Sequence, residues 1–211
     1  SLLPRYRGRA PVNWAVLHGE RETGATLHAM TPKPDDGAIV DQQAVPILPD
    51  DTAGEVFAKV VVAAEITLDR CLPALLAGTA TLREQDPAQA SYFGGRTPED
   101  GRIDWSQPAA RIHNLVRAVA PPYPGAFSDV DGQRLRVLRT LRAPAAAAAP
   151  PATPTGLFVH DRQLWARGGD GGVLRVLQAD LDGAPLDPEA FTARFGAALP
   201  LSGRAVRGNP S

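Results

Sequence analysis

Cysteine is almost absent, with Cys71 alone among 211 residues. One thiol excludes an internal disulfide and any metal knuckle built on several cysteines, and it accords with a reducing compartment. Lysine is nearly as scarce: Lys33 and Lys59 are the two present, so the basic charge rests on arginine. With 22 basic against 23 acidic residues, neither sign dominates, and nothing marks a polyanion-binding surface or a basic membrane-facing helix. The longest apolar run, "VVVAA", falls far short of the ~20 residues of a membrane span, and no segment has the charged-then-apolar pattern of a leader. A cytoplasmic protein without membrane insertion is the expectation. The histidines, His18, His28, His113 and His160, show no H-x-H or H-E-x-x-H spacing, so no metal site is expected. There is no G-x-S-x-G elbow, P-loop or complete G-x-G-x-x-G, which leaves hydrolase, phosphoryl-transfer and dinucleotide readings without their motifs.

What is present reads as an α/β chain. Pro11 followed by "VNWAVLHG" predicts a short helix ended by Gly19. "GATLHAM" and "AIVDQQAVPI" alternate as strands do, with the turn "TPKPDDG" between them. From Asp50 the apolar spacing moves to 3.6, through Val56, Val60, Ala63, Ala64 and Leu68. This predicts a helix that Pro73 kinks or breaks and Gly78 terminates, with Cys71 as core filler. "SYFGGRTPEDGRIDW" reads as an extended linker, and "QPAARIHNLVRAVA" as a second long helix stopped by "PPYPG". After it the period is two: "QRLRVLRTLRA", "GLFVHDRQLWARGG" and "GGVLRVLQADL" predict three or four strands of a small β-rich, barrel-like module. The tract "APAAAAAPPATP", Ala143 to Pro154, reads as a surface loop, and "GGDGG" as hairpin-turn composition. The expected division is an α/β unit over 1–90, a linker over 91–107 and a β-rich unit over 108–211.

Two stretches have chemical potential. "RYRGR" sets Arg5, Arg7 and Arg9 between Pro4 and Pro11, and guanidinium forks suit carboxylates and phosphates; a solvated loop would look the same. "PKPDDG" places Asp35 and Asp36 at a strand end. One acid suffices for a turn, whereas a pair could also tune a neighbouring base. Arg96 in "GGRTPED" and Arg117 in "NLVRAV" could hold a diphosphate or equally form ion pairs of small consequence.

Read together, "SLLPRYRGRAPVNWAVLHGERETGATLHAMTPKPDDGAIVDQ", "FGGRTPEDGRIDW" and "IHNLVRAVAPPYPGAF" resemble, in the family's order, the formyltransferases that use 10-formyltetrahydrofolate. The likeness is greatest to the formyltransferase domain acting on UDP-4-amino-4-deoxy-L-arabinose. Methionyl-tRNA formyltransferases typically carry Trp and Ala where this chain has Tyr6 and Arg9.

The resemblance implies the C-terminal part of a Rossmann-like catalytic domain followed by a small OB-like barrel. It implies a catalytic Asp in a D-x-G turn, matched by Asp35-Asp36-Gly37, which makes Asp35 the acid and leaves Asp36 in the variable position. It also implies that Arg9 and the stretch Thr31, Pro32, Lys33, Pro34 and Asp35 hold the folate co-substrate, with no metal. The acceptor implied is a nucleotide-linked amino sugar serving lipid A or another surface polysaccharide, with tRNA as the alternative. A tRNA acceptor would need a basic face such as Arg134, Arg136, Arg139 and Arg142 could form, three of them at even positions. A non-catalytic folate- or nucleotide-binding remnant is a third reading.

The family's remaining catalytic groups, an Asn and a His, lie in an N-x-H-x-S segment whose Ser corresponds to Ser1. None of His18, His28 or His113 matches that His. The expectation is a fragment, inactive alone, of an active parent in which an Asn donates to the oxyanion and a His handles the proton. Asp35 would raise the pKa of that imidazole by ~1–3 units from within ~4–6 Å. Nothing like a dehydrogenase partner follows the β-rich part, so the expected parent is a stand-alone formyltransferase.

Overall fold

The computed structural model describes residues 1–142 and 153–203. The reading of Ala143–Pro154 as a loop thus falls largely outside the described residues. The chain forms two compact units, Ser1–Thr97 and Pro98–Ser211.

The first unit runs β1 (Arg7–Gly8), α1 (Pro11–His18), β2 (Glu22–His28), β3 (Ile39–Pro46), α2 (Ala53–Leu76) and β4 (Tyr92–Phe93). α1 starts with proline at its first turn and stops at Gly19, whose φ of 72° fits a left-handed C-cap. β2 and β3 pair antiparallel with a register shift at Leu27/His28, and the Ala29 amide donates to the Ala38 carbonyl across the base of the intervening loop. α2 is opened by a capping box: Thr52 accepts the Glu55 amide and Glu55 accepts the Thr52 amide. Such a cap contributes about 1 kcal/mol.

α2 buries Ala53, Val56, Ala63, Thr67 and Cys71 and packs on β2 and β3. It does not break at Pro73 but continues to Leu76, because a proline this near the end forfeits little of the remaining ladder. Ala64 and Leu68, expected on the buried side, are exposed. They belong to a second apolar stripe with Phe57, Val61, Leu72 and Leu75. β1 and β4 form a parallel pair in which Arg7 faces Tyr92 and Gly8 faces Phe93.

The second unit contains α3 (Ala109–Val119), β5 (Ala126–Val130), β6 (Gln133–Arg142), β7 (Gly156–His160), β8 (Gln163–Arg167), β9 (Val173–Leu181), β10 (Ala184–Pro185), α4 (Pro188–Phe195) and β11 (Ala198–Pro200). Its strands make a curled antiparallel half-barrel in the order β11-β7-β8-β9-β6-β5, with β10 also on β9. α3 presents Ile112, Val116 and Val119 to a core shared with Leu135, Leu157 and Phe191. The segment expected to be a linker is structured: Tyr92 and Phe93 pair with β1, while Ile103 and Trp105 are buried in the second unit's core.

A register irregularity between Val137 and Thr140 resets the alternation of β6. Val137 and Leu138 are both buried, so Arg134, Arg136 and Arg139 share the outer side instead of the three even-numbered arginines. Arg134 meets Asp129 at 3.3 Å and Arg136 meets Asp180 at 2.9 Å, which reduces the positive field on that side. Among the described residues no helix is long and apolar enough to cross a membrane.

Candidate active site

The loop joining β2 to β3 places Asp35 beside β1. Asp35 has φ 58°, the left-handed region that Asp tolerates better than most residues. Its carboxylate is half-buried: Oδ2 accepts the Gly8 amide at 2.8 Å, and Oδ1 lies 3.8 Å from His28 Nε2. His28 Nδ1 is 2.9 Å from the Ala29 carbonyl, which can only accept, so Nδ1 carries a hydrogen. In neutral His28 the Nε2 lone pair therefore faces the carboxylate side, and in charged His28 an N–H does. The Ser1 carbonyl accepts the Thr26 hydroxyl at 2.7 Å, beside β2.

Asp36 has a different environment. Arg7, only 2% exposed, donates through Nη1 to Asp36 Oδ1 at 2.6 Å and to the Tyr92 hydroxyl at 2.5 Å, and through Nη2 to Gln85 Oε1 at 2.6 Å. Burial works against the Arg7 charge, but the bonds to Tyr92 and Asp36 outweigh it and raise its pKa. Lys33 Nζ lies 3.6 Å from Asp36 Oδ2 and 5.7 Å from the Tyr92 ring centroid. Gln85 Nε2 donates to the carbonyls of Asp35 at 3.0 Å and Gly37 at 2.7 Å.

Thr31, Pro32, Lys33 and Pro34 form an exposed approach to Asp35, with Thr31 Oγ1 donating to the Lys33 carbonyl at 2.8 Å. Arg9 is exposed; its amide donates to the Phe93 carbonyl at 3.0 Å and its guanidinium runs beside Gly95. Arg96 lies over the Trp14 ring at 4.8 Å, and Trp14 Nε1 donates to the Gly94 carbonyl at 3.0 Å. Tyr6 stacks on Phe93 with centroids 4.9 Å apart and donates to Glu20, and burial followed by that bond pushes its phenol pKa up. Arg117 belongs to the second unit, where it is 4% exposed and donates to Asn114 at 2.8 Å. Among the described residues no group of three or more His, Cys, Asp and Glu side chains is arranged to hold a metal ion.

The structure thus brings Asp35 and the 31–34 stretch together and sets Arg9 on the adjoining β1 segment. Sequence reasoning named Arg7 as a guanidinium suited to a carboxylate without pairing it with Asp36, missed Gln85 and Tyr92, and did not pair His28 with Asp35. The parity of β2 offered a signal for His28, which closes the strand at the mouth of the Asp loop. No signal marked Gln85, which arrives from 50 residues downstream.

Two family models match the chain in order, "Formyl transferase" over residues 1–72 and "Formyl transferase, C-terminal domain" over 96–196. The chain belongs to the formyl transferase family. Solved structures share the family member's fold. The N-formyltransferase from Helicobacter canadensis in complex with folinic acid and dTDP-3-aminofucose is 21% identical with TM-score 0.69, over 82% of this chain and 62% of its own. HypX from Aquifex aeolicus in complex with tetrahydrofolic acid is 18% identical with TM-score 0.65, over 92% and 35%. Methionyl-tRNA formyltransferase from Clostridium thermocellum is 20% identical with TM-score 0.57, over 89% and 66%. This family member spans about 62% of the length of the Helicobacter enzyme.

Proposed function

We propose that this chain carries the Asp-bearing part of an enzyme that moves a formyl group from 10-formyltetrahydrofolate to the amino group of a nucleotide-linked sugar. The observation that carries the reading is the Asp35 carboxylate, fixed by the Gly8 amide and approached over an open loop, in a chain matched by both formyl transferase models. In the reaction the acceptor nitrogen bonds to the formyl carbon and the bond from that carbon to donor N10 breaks. One proton leaves the amine and one reaches N10. Asp35 stabilises positive charge on the group that takes the amine's proton, an electrostatic role suited to a fixed anion.

The reading assigns that proton carrier and the oxyanion donor to a His and an Asn in polypeptide preceding Ser1. Two observations support this. The Ser1 carbonyl accepts the Thr26 hydroxyl at 2.7 Å, so Ser1 sits beside β2, the strand that ends at His28, 3.8 Å from Asp35. The exposed apolar stripe of α2 has the character of a surface that meets a further layer, as a larger Rossmann-like sheet would supply.

Arg9 and the 31–35 stretch are proposed to hold the folate, and Arg96, beside Gly94 and Gly95, the acceptor's phosphates. Arg117 offers a ligand little surface and is not retained in that role. The sugar acceptor is favoured over tRNA by Tyr6 and Arg9 in "YRGRAP" and by the ion pairs on the outer side of β6. The Helicobacter enzyme, bound to a dTDP-amino sugar, makes a nucleotide sugar a reasonable class; the UDP-linked sugar is the finer proposal.

The test compares this 211-residue chain with the product of its complete reading frame in a formyl-transfer assay. Activity only in the longer product supports the assignment, and full activity in the 211-residue chain refutes it.

A further inference from the structure

Two consecutive residues of β1 grip two consecutive acids. The Gly8 amide donates to Asp35 at 2.8 Å, and the Arg7 guanidinium donates to Asp36 at 2.6 Å. Arg7 also holds Gln85 by its oxygen at 2.6 Å, and the Gln85 nitrogen spans the carbonyls on either side of Asp36. Arg7 and Gln85 are both buried, so this network lies beneath the loop rather than on its surface. A non-glycine residue at φ 58° persists where its surroundings over-determine it, and here three groups do so: the Gly8 amide on the side chain, Gln85 on the backbone and Arg7 on the next acid.

We propose that Arg7, Asp36 and Gln85 are positioning residues that fix the Asp35 carboxylate, with Asp36 serving as the countercharge of buried Arg7 and taking no part in proton transfer. The proposal rests on the role given to Asp35 above. Asp36 Oδ1 is bonded to Arg7 and its Oδ2 faces Lys33, so both oxygens are directed at cations. Gln85 must be an amide, because it accepts from a guanidinium with one end and donates to two carbonyls with the other. A carboxylate there keeps the first bond and opposes the other two. The adjacent acids of the D-x-G turn divide the work: the first faces the reaction and the second anchors the loop.

Gln85→Glu and Asp36→Asn preserve side-chain shape and test this in two ways. In the 211-residue chain, amide exchange followed by NMR reads the Gly8 N–H, whose acceptor is Asp35. Gln85→Glu is expected to speed Gly8 exchange by at least about tenfold, with amides of the second unit unchanged. In the active reading-frame product, kcat is expected to fall by about tenfold to a hundredfold with the KM for 10-formyltetrahydrofolate within about threefold, as for a reacting group moved by ~1 Å. Asp36→Asn should act in the same direction, and Asp36→Glu should restore part of the rate.

Unchanged Gly8 exchange in both Gln85→Glu and Asp36→Asn overturns the proposal, even if kcat falls, because the effect would then bypass the Asp35 anchor. Faster exchange with unchanged kcat overturns it as well. A wild-type product without formyl-transfer activity contradicts the role of Asp35, while Gly8 exchange still decides whether these three residues position it.

Discussion

The Gly8 amide points at the Asp35 carboxylate and bonds it at 2.8 Å, although the two residues are 27 positions apart. Neighbouring amides of the segment run the other way, Arg7 to the Ser91 carbonyl and Arg9 to that of Phe93. The alternation of a strand therefore makes the carboxylate's anchor. Only a backbone donor with no side chain in the way serves, since a Cβ at Gly8 would collide with the Phe93 carbonyl.

Asp35→Asn keeps an oxygen for the Gly8 amide and removes the charge. If Asp35 acts by charge, the active reading-frame product carrying this change should lose about a hundredfold to ten-thousandfold in kcat while thermal unfolding stays within a few degrees. A rate within threefold of wild type would remove Asp35 from the reaction.

Gly37 follows the two acids, where an added Cβ would collide with the Ala29 carbonyl oxygen at the base of the hairpin. Gly37→Ala should therefore open the loop and destabilise the first unit by about 1–3 kcal/mol, the range for overpacking. Denaturant unfolding followed by Trp14 fluorescence checks this, and the second unit's transition should not move.

His28 lies 3.8 Å from Asp35 but is not the histidine that the family resemblance assigns to proton transfer. His28→Gln should lower kcat of the active product by less than about tenfold, against the 10²–10⁴ typical of a lost acid–base group. A larger loss, with a changed pH–rate profile, would move the proton-transfer role to His28.

The second unit carries a pH-sensitive contact. The Arg102 hydrogen bond holds the Asp129 carboxyl below its usual pKa, with Arg134 adding to the effect. A carboxyl with a depressed folded-state pKa stabilises the fold above its unfolded value and loses that contribution as the pH falls through the folded one. Arg102→Met should lower the Tm of the second unit at pH 7, and the gap from wild type should narrow below about pH 4. Exposure of Asp129 and the shared partner Glu99 keep the effect small. Differential scanning calorimetry at several pH values measures it.

Local signals were readable in the sequence where one face or one cap decides the outcome. Pro11 and Gly19 bounded α1, the 3.6 spacing that begins after Asp50 marked α2, and the alternation in "GATLHAM" and "AIVDQQAVPI" marked β2 and β3. α2 was harder because it has two apolar stripes, and periodicity does not say which one packs on the hairpin. The register irregularity in β6 was not legible either, since a slip of one residue depends on partner strands. In the candidate site, Asp35 came from the family's D-x-G pattern. The joining of Arg7 to Asp36 and Gln85 brings together residues 29 and 78 positions apart, a tertiary contact that no local pattern announces.

The most direct test offers radiolabelled 10-formyltetrahydrofolate to the complete reading-frame product together with UDP-4-amino-4-deoxy-L-arabinose and charged initiator tRNA. The account predicts label on the sugar nucleotide, lost in the Asp35→Asn variant. Label on the tRNA alone, or on neither acceptor, would contradict it.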